Sequence, residues 1–208
     1  MTVIRELLRR AGDPQKELAF IHIAGTNGKG SVSAFLSNIL MAAGYRVGRY
    51  NSPTIRTYRE RICVNKSMIS KTALCRLLTQ LKTCCDEMVA DGCAHPTSFE
   101  VETVLGFLYY KEKNCDMVVL ETGMGGRLDA TNVIPDPQML LAVFASVSMD
   151  HMAFLGDSLG QIAKEKAGII TQGCSVVTME QREEVMDVFQ KVCLEKQAVL
   201  TVSKPETA

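Results

Sequence analysis

Residues 20–35 read FIHIAGTNGKGSVSAF, which is an apolar run, a glycine-rich turn and a helix-like stretch. The order predicts a buried strand, a tight turn and a helix. Glycines at three positions of the turn allow successive backbone amides to face one concavity at a helix N-terminus: Gly25, Gly28 and Gly30. Lys29 adds a full positive charge and Ser31 adds a hydroxyl suited to Mg²⁺. The stretch therefore predicts a phosphate loop, although Gly30 separates Lys29 from Ser31 and departs from the strict Walker spacing.

Outward from this stretch, short β-branched runs alternate with longer amphipathic ones. The predicted strands are Leu18–Ala24, Arg46–Tyr50, Met117–Leu120, Leu140–Ser146, Ser175–Thr178 and Val199–Val202. The predicted helices are residues 29–43, 70–90, 98–112, 158–169 and 180–196. Thr97 with Glu100, and Ser158 with Gln161, have the spacing of capping boxes. The alternation predicts one domain over 1–208, a Rossmann-like three-layer α/β fold with a mostly parallel sheet and helices on both faces.

Composition excludes several classes of protein. The 208 residues carry 23 basic and 23 acidic side chains, so no net charge draws the chain to nucleic acid or to an anionic membrane. The longest nearly apolar stretch, Met139–Met149, is too short to span a bilayer. The eight cysteines include no CxxC pair, which favours free thiols in a reducing compartment. We therefore expect a cytoplasmic protein without nucleic-acid or membrane partners.

Polar residues follow several of the predicted strands. Glu121 ends the strand before the glycine-rich stretch TGMGGRLDATN and is the first candidate for a magnesium ligand. Ser52 and His151 follow two other strands, and His151 alone fits either a metal or phosphate contact or a structural role. Because parallel strands end at one edge of an open sheet, we expect these residues and the phosphate loop to converge there. Arg127 and Asp129 fit equally a salt bridge that holds the glycine-rich loop or a functional role.

Two further segments carry charge. The polar, arginine-bearing stretch from Asn51 to Ser67 predicts a functional loop followed by a hairpin around Asn65. Periodicity places Lys164, Glu165 and Lys166 on a solvated helix face.

Four stretches together resemble the folylpolyglutamate synthase/dihydrofolate synthase family, a branch of the Mur ligase superfamily. They are HIAGTNGKGSVSAFLSNIL, AGYRVGRYNSP, ETGMGGRLDATNVI and SMDHMAFLGDSLGQIAKEKAGII, in this order along the chain. The resemblance implies a Mur ligase central-type, ATP-binding domain and an ATP-dependent acid–amino-acid ligase. In that reaction the γ-phosphoryl group of ATP goes to a carboxylate of dihydropteroate or of a folate, and the amine of L-glutamate attacks the acyl phosphate.

Residue by residue, the resemblance implies a triphosphate site formed by Gly25, Thr26, Asn27, Gly28, Lys29, Gly30 and Ser31. Lys29 would contact the outer phosphates, and Ser31, Ser52 and Glu121 would bind a first Mg²⁺. His151 would help to bind a second Mg²⁺ and act in catalysis with Lys29. Lys166 occupies the position that is often carbamylated, which would make it a catalytic metal ligand and would override the solvated-face interpretation for Lys166 though not for Lys164.

The sequence departs from the family pattern in the loop that follows SP. Thr54 stands where the family usually has histidine, and Arg56, Arg59 and Arg61 fit either substrate carboxylates or solvent. The resemblance also implies a longer enzyme whose C-terminal domain binds glutamate, and we expect that domain to be absent from this chain. Two alternatives stay open: another Mur-type amide ligase, and a truncated nucleotide-binding module without ligase activity.

Overall fold

The computed structural model describes residues 2–150 and 152–204 and is built around one eight-stranded sheet. The strands are β1 (Phe20–Ala24), β2 (Val47–Tyr50), β3 (Ile62–Val64), β4 (Ser67–Met68), β5 (Met117–Glu121), β6 (Met139–Phe144), β7 (Ser175–Met179) and β8 (Val199–Ser203). Their order across the sheet is β4-β3-β2-β5-β1-β6-β7-β8. Every neighbouring pair is parallel except β2–β3 and β3–β4. The mostly parallel sheet expected from the sequence is confirmed.

Helices follow most of the strands. They are α1 (Thr2–Arg10), α2 (Lys29–Ala42), α3 (Lys71–Ala90), α4 (Ser98–Glu112), α5 (Met152–Leu155), α6 (Leu159–Ala167) and α7 (Glu183–Glu195), with short 3₁₀ turns at Pro14–Glu17, Tyr58–Arg61 and Asp136–Gln138. The five predicted helices are confirmed within a few residues of their ends. α1 was not predicted, although Ile4, Leu7 and Leu8 have helical spacing and are all buried. None of the helices among the described residues is long and apolar enough to cross a membrane.

Alternate side chains of each central strand pack on opposite faces of the sheet. Phe20 and Ala24 of β1 join the larger core, which α3, α4, α6 and α7 cover. Ile21 and Ile23 face the other way and pack with the apolar side of α2. Helices therefore lie on both faces, as expected for three layers, and β1 is buried along its whole length.

The carboxyl ends of the central strands meet at one edge. Strand register places Tyr50 of β2 beside Leu120, Ile23 of β1 beside Glu121, and Ala24 beside Phe144 of β6. The segments that follow β1, β2, β5 and β6 therefore leave the sheet side by side. In open parallel sheets this edge is where ligands bind.

Local signals in the sequence account for several turns. Asn65 has a φ of 52° at the tip of the β3–β4 hairpin, so the hairpin expected there is confirmed. Thr97 and Glu100 form a complete capping box at the start of α4. At α6 only half of the expected box forms, because the Gln161 amide oxygen accepts from the Asp157 amide while Ser158 caps the helix alone.

Candidate active site

The predicted phosphate loop joins β1 to α2 in the middle of the sheet. Gly25 has a φ of 153°, and a Cβ there would lie 2.8 Å from the Cβ of Ala145, so the position requires glycine. Gly28 is the N-cap of α2 with a φ of 87°, and no side chain caps this end. The first amides of a helix have no intrahelical partner, so the amides at the start of α2 are available to an anion.

The segment after β6 fixes the shape of this loop. The Thr26 amide donates to the carbonyl oxygen of Ser146 at 2.7 Å, and the Thr26 hydroxyl donates to that of Ser148 at 3.1 Å. The Ser146 hydroxyl in turn donates to the carbonyl oxygen of Asn27 at 3.2 Å. These bonds join only atoms of the protein itself, and they hold the loop in the shape described.

Two lysine ammonium groups converge on the carbonyl oxygen of Gly25. Nζ of Lys29 donates to this oxygen at 3.0 Å, and so does Nζ of Lys166 from α6 at 3.0 Å. Lys166 is only 1% exposed. Its burial and the nearby charge of Lys29 lower the pKa of Lys166 to about 8. Periodicity predicted that both lysines of this helix lie on its solvated face. The prediction is wrong for Lys166 and confirmed for Lys164, which is exposed.

Glu121, the last residue of β5, is a buried carboxylate at the same edge. It accepts a hydrogen bond from the Ser52 amide. A Cβ on Gly30 would lie 3.9 Å from its Oε2, so the carboxylate sits beside the first turn of α2. Burial raises the pKa of Glu121, and the positive charge of Lys29 opposes the rise. The structure thus brings together Glu121, Ser52 and the start of α2.

The donor set at this edge fits a magnesium ion. It consists of oxygen atoms: the Glu121 carboxylate and the hydroxyls of Ser52 and Ser31. Mg²⁺ is usually bound by one or two carboxylates together with substrate phosphates and water. Within residues 2–150 and 152–204, no group of three His, Cys, Asp or Glu side chains could hold a metal ion by itself. His151 lies outside the described residues, so its expected role stays a prediction.

The glycine-rich loop after β5 is held by Asp129 and backbone amides. The Asp129 carboxylate accepts from the amides of Met124 at 2.8 Å and Thr131 at 2.9 Å. The possible salt bridge between Arg127 and Asp129 is not formed, because these amides already occupy the carboxylate and Arg127 lies against α6. Arg127 pairs instead with Glu165, with a nitrogen–oxygen distance of 2.9 Å. The solvated face is therefore also wrong for Glu165, which is half-buried.

His22 in β1 is a buried polar residue that sequence reasoning missed. Its Nε2 lies 2.8 Å from the Thr131 hydroxyl, which is 2.6 Å from the Asp129 carboxylate. The hydroxyl donates its one hydrogen to the carboxylate and accepts from His22. Burial lowers the pKa of His22 to about 3, so the imidazole is neutral. The sequence signal for this residue was a histidine inside the apolar stretch FIHIA. Through its bond to Thr131, His22 joins β1 to the glycine-rich loop.

A cavity of about 580 Å³ opens beside Ser52, and we name it the Phe99 cavity. One part of its wall is apolar and is formed by Phe99, Met124, Leu128, Phe154 and Leu155. Apolar walls of this kind bind flat rings, while a few polar groups set their orientation. The cavity therefore suits a substrate with an aromatic ring.

The three arginines left open by the sequence occupy different environments. Arg61 lines the Phe99 cavity, with its guanidinium carbon 5.6 Å from the centre of the Phe99 ring and Nη1 3.1 Å from Glu102 Oε2. Arg59 donates to the carbonyl oxygen of Ile69, and Arg56 is exposed. Of the three, only Arg61 lies on a cavity wall near the site.

Comparison with known proteins gives matches along most of the chain. Residues 23–208 match the family model described as the Mur ligase middle domain. The dihydrofolate synthase/folylpolyglutamate synthase of Bacillus subtilis is 42% identical over 188 residues, which are 90% of this chain and 43% of that protein. The chain thus spans less than half the length of this relative.

Solved structures give the same result. A folylpolyglutamate synthase from Thermotoga maritima superposes with a TM-score of 0.88 at 40% identity, covering 97% of this chain and 45% of the other. A structure described as an FPGS–AMPPCP–folate complex superposes with a TM-score of 0.92 at 32% identity, covering 96% and 48%. At sequence identities of 40% and 32%, the similarity to these proteins includes the sequence as well as the fold.

Proposed function

The chain belongs to the Mur ligase middle domain family, and we propose that its 208 residues are the ATP-binding part of a ligase that joins L-glutamate to dihydropteroate or to a folate. The names of the similar proteins support this substrate class. The eight free thiols suit the reducing cytoplasm, where we place the activity. The partners of the chain are then small molecules: ATP, L-glutamate and the pterin-bearing acid.

One observation carries the proposal: a pre-organised anion site and a buried carboxylate meet at a single sheet edge. The uncapped start of α2 supplies amides and a positive dipole end for the triphosphate. Lys29 lies within reach of the outer phosphates once its bonds to the loop carbonyls are exchanged for stronger ones to phosphate. The residues from Gly25 to Ser31 therefore hold the nucleotide.

Glu121, Ser52 and Ser31 would hold Mg²⁺ at this edge, with His151 as a further expected ligand. When bound, the ion neutralises charge that develops on the phosphates during transfer. The chain's own residues do the positioning: the Ser52 amide orients the Glu121 carboxylate, and burial keeps competing water away.

We propose that the neutral amine of Lys166 attacks carbon dioxide, forms a nitrogen–carbon bond and releases one proton to solvent, which gives a carbamate. With a pKa lowered to about 8, a fraction of the amine is neutral near physiological pH and can act as a nucleophile. The nearby Lys29 charge destabilises a second cation and would stabilise the anionic product. The modification would give this edge an additional oxygen ligand for Mg²⁺.

The Phe99 cavity would bind the ring of the acceptor. Its apolar wall accommodates a flat pterin, and Arg61 is fixed at its side by Glu102. Because the cavity shares Ser52 with the metal edge, an elongated acid held there extends its carboxylate toward the phosphate loop. Phosphorylation of that carboxylate creates a good leaving group for attack by the amine of L-glutamate.

Isothermal titration of Mg·ATP into the purified chain tests the proposal. We expect saturable binding that is about tenfold weaker in Lys29→Met, because a charge-assisted bond to phosphate is lost. Lys71→Met is the matched control, since Lys71 is exposed at the start of α3.

A second titration with pteroate and folate tests the substrate class. Binding of either compound supports the folate assignment. Nucleotide binding without affinity for either compound would favour another Mur-type ligase, and absence of nucleotide binding by the folded chain would contradict the proposal.

A further inference from the structure

A second cavity, of about 550 Å³, also has Ser52 on its wall. We name it the Arg49 cavity, and its polar wall is formed by Gly30, Arg49, Asn51, Ser52, Lys66 and Glu121. It therefore touches the proposed magnesium edge through Glu121 and the start of α2 through Gly30. Unlike the Phe99 cavity, it brings two cationic side chains beside that edge.

Arg49 is turned toward this cavity by its neighbours in β2. Gly48 abuts the ring of Tyr110, and Tyr50 is within hydrogen-bond distance of Thr103, so both face α4. Alternation along the strand then directs Arg49 to the opposite face, the one that α2 covers. Arg49 is the one charged side chain of this short, otherwise buried strand.

Arg49 lies near Glu121 and Cys63, and its charge opposes the rise that burial causes in their pKa values, but one of its donors stays unpaired. Its Nε is buried and has no hydrogen-bond partner. Among the described residues, no carboxylate oxygen lies within 4.0 Å of a side-chain nitrogen of Arg49 or Lys66. A buried donor of this kind is costly unless an acceptor satisfies it. The cavity thus has an unused donor on a cationic side chain, which an anion can satisfy.

The remaining polar groups favour the same type of ligand. Oδ1 of Asn51 accepts from the Ser33 hydroxyl at 2.9 Å, which leaves the Asn51 amide nitrogen as a donor. Glu60 also lies on the wall, but its carboxylate accepts from the backbone amides of residues 55–57 at 3.0, 3.1 and 3.2 Å. The wall therefore carries two carboxylates: Glu60, whose charged form these amides stabilise, and Glu121, at the end that adjoins the phosphate loop.

We propose that the Arg49 cavity binds the non-reacting α-carboxylate of a terminal glutamyl residue on the acceptor. This inference rests on the proposed function, which places the reacting carboxylate at the edge formed by Glu121 and the phosphate loop. A folate carries a second carboxylate a few bonds from the reacting one, whereas dihydropteroate carries only the reacting one. Arg49 and Lys66 therefore make the chain selective for acceptors that already bear glutamate.

The test compares pteroate with folate, two ligands that differ by one glutamyl residue, by titration into the chain with Mg·ATP present. We expect folate to bind at least about tenfold more tightly, because a charge-assisted bond to the Arg49 guanidinium is gained. Arg49→Met should remove most of this preference, which is measured as the ratio of the folate and pteroate affinities in the same variant. Arg46→Met, also near the start of β2 but outside the cavity, should retain it. Circular dichroism and a thermal melt show whether each variant folds.

A separate titration distinguishes failure of the proposed function from failure of the carboxylate site inferred for the Arg49 cavity. The dipeptide γ-glutamylglutamate lacks a pterin ring, and we expect saturable binding that Arg49→Met and Lys66→Met each weaken. If pteroate and folate both fail to bind, the ring assignment fails, and the dipeptide alone decides the carboxylate site. A folate preference that survives in folded Arg49→Met would overturn the inference. If pteroate and folate both fail to bind, absence of dipeptide binding would also overturn it.

Discussion

At the scale of single residues, His22 couples the stability of the chain to pH. Its pKa is about 3 in the folded chain against 6.5 when exposed, so the unfolded chain binds more protons between these values. The contribution of His22 to stability is complete above pH 6.5 and is lost as the pH falls toward 3. Lowering the pH from 7 to 5 should cost about 2 kcal/mol of unfolding free energy through this residue. Urea unfolding at the two pH values measures the loss, and folded His22→Gln should show a smaller one.

Lys166 is the residue whose chemistry differs most from its sequence context. With ¹³C-bicarbonate at pH 8, we expect one carbamate resonance in the carbon NMR spectrum of the chain, because a pKa of about 8 leaves much of this amine neutral. Lys166→Met should abolish the resonance. Lys164→Met is the matched control, since that lysine lies one half-turn away and is exposed. A signal that persists in Lys166→Met would contradict the assignment.

At the scale of elements, the glycine-rich loop and α6 approach each other more closely than side chains allow. A Cβ on Gly168 would lie 2.3 Å from the Cβ of Arg127, and one on Gly126 would lie 2.7 Å from the carbonyl oxygen of Lys166. Gly168 has a φ of −62°, so alanine would meet no backbone strain there, only the collision. The contact therefore fixes the loop relative to the helix that carries Lys166.

Gly168→Ala should lower the unfolding free energy by about 1–3 kcal/mol, the usual cost of overpacking. Nucleotide affinity should fall with it, because Lys166 would shift. Gly44→Ala serves as the comparison: its site has open space around the Cβ position and carries only the strain of a φ of 93°. An unfolding midpoint in urea for Gly168→Ala equal to that of the unchanged chain would show that the contact tolerates a methyl group.

At the scale of the whole molecule, we expect nucleotide binding by the chain without the ligation reaction. The chain covers 43% of the Bacillus subtilis relative, and we expect the purified 208 residues to bind Mg·ATP without coupling glutamate to folate. Closure over a substrate usually completes an active site, and the chain spans less than half the length of that relative. An ADP-release assay with folate and glutamate checks this. Glutamate-dependent ADP formation by the chain would refute it.

The sequence predicted the sheet, five of the helices and the strand ends that carry the site. It did so because glycine-rich turns and strand periodicity are local signals. Burial is not local, and so the environment of Lys166, the pairing of Arg127 with Glu165 and the orientation of Arg49 became known only from packing. α1 was missed although its apolar spacing was visible, because a start signal was lacking.

The position of β1 in the middle of the sheet also determines when the loop can take shape during synthesis. β1 pairs with β5 and β6, and Thr26 is held by Ser146 and Ser148, both more than a hundred residues further along the chain. A nascent chain that ends before β6 therefore exposes an apolar strand and an unfixed loop to solvent. Contacts of such long sequence separation are slow to form, so chaperone binding is expected during this interval rather than after release from the ribosome.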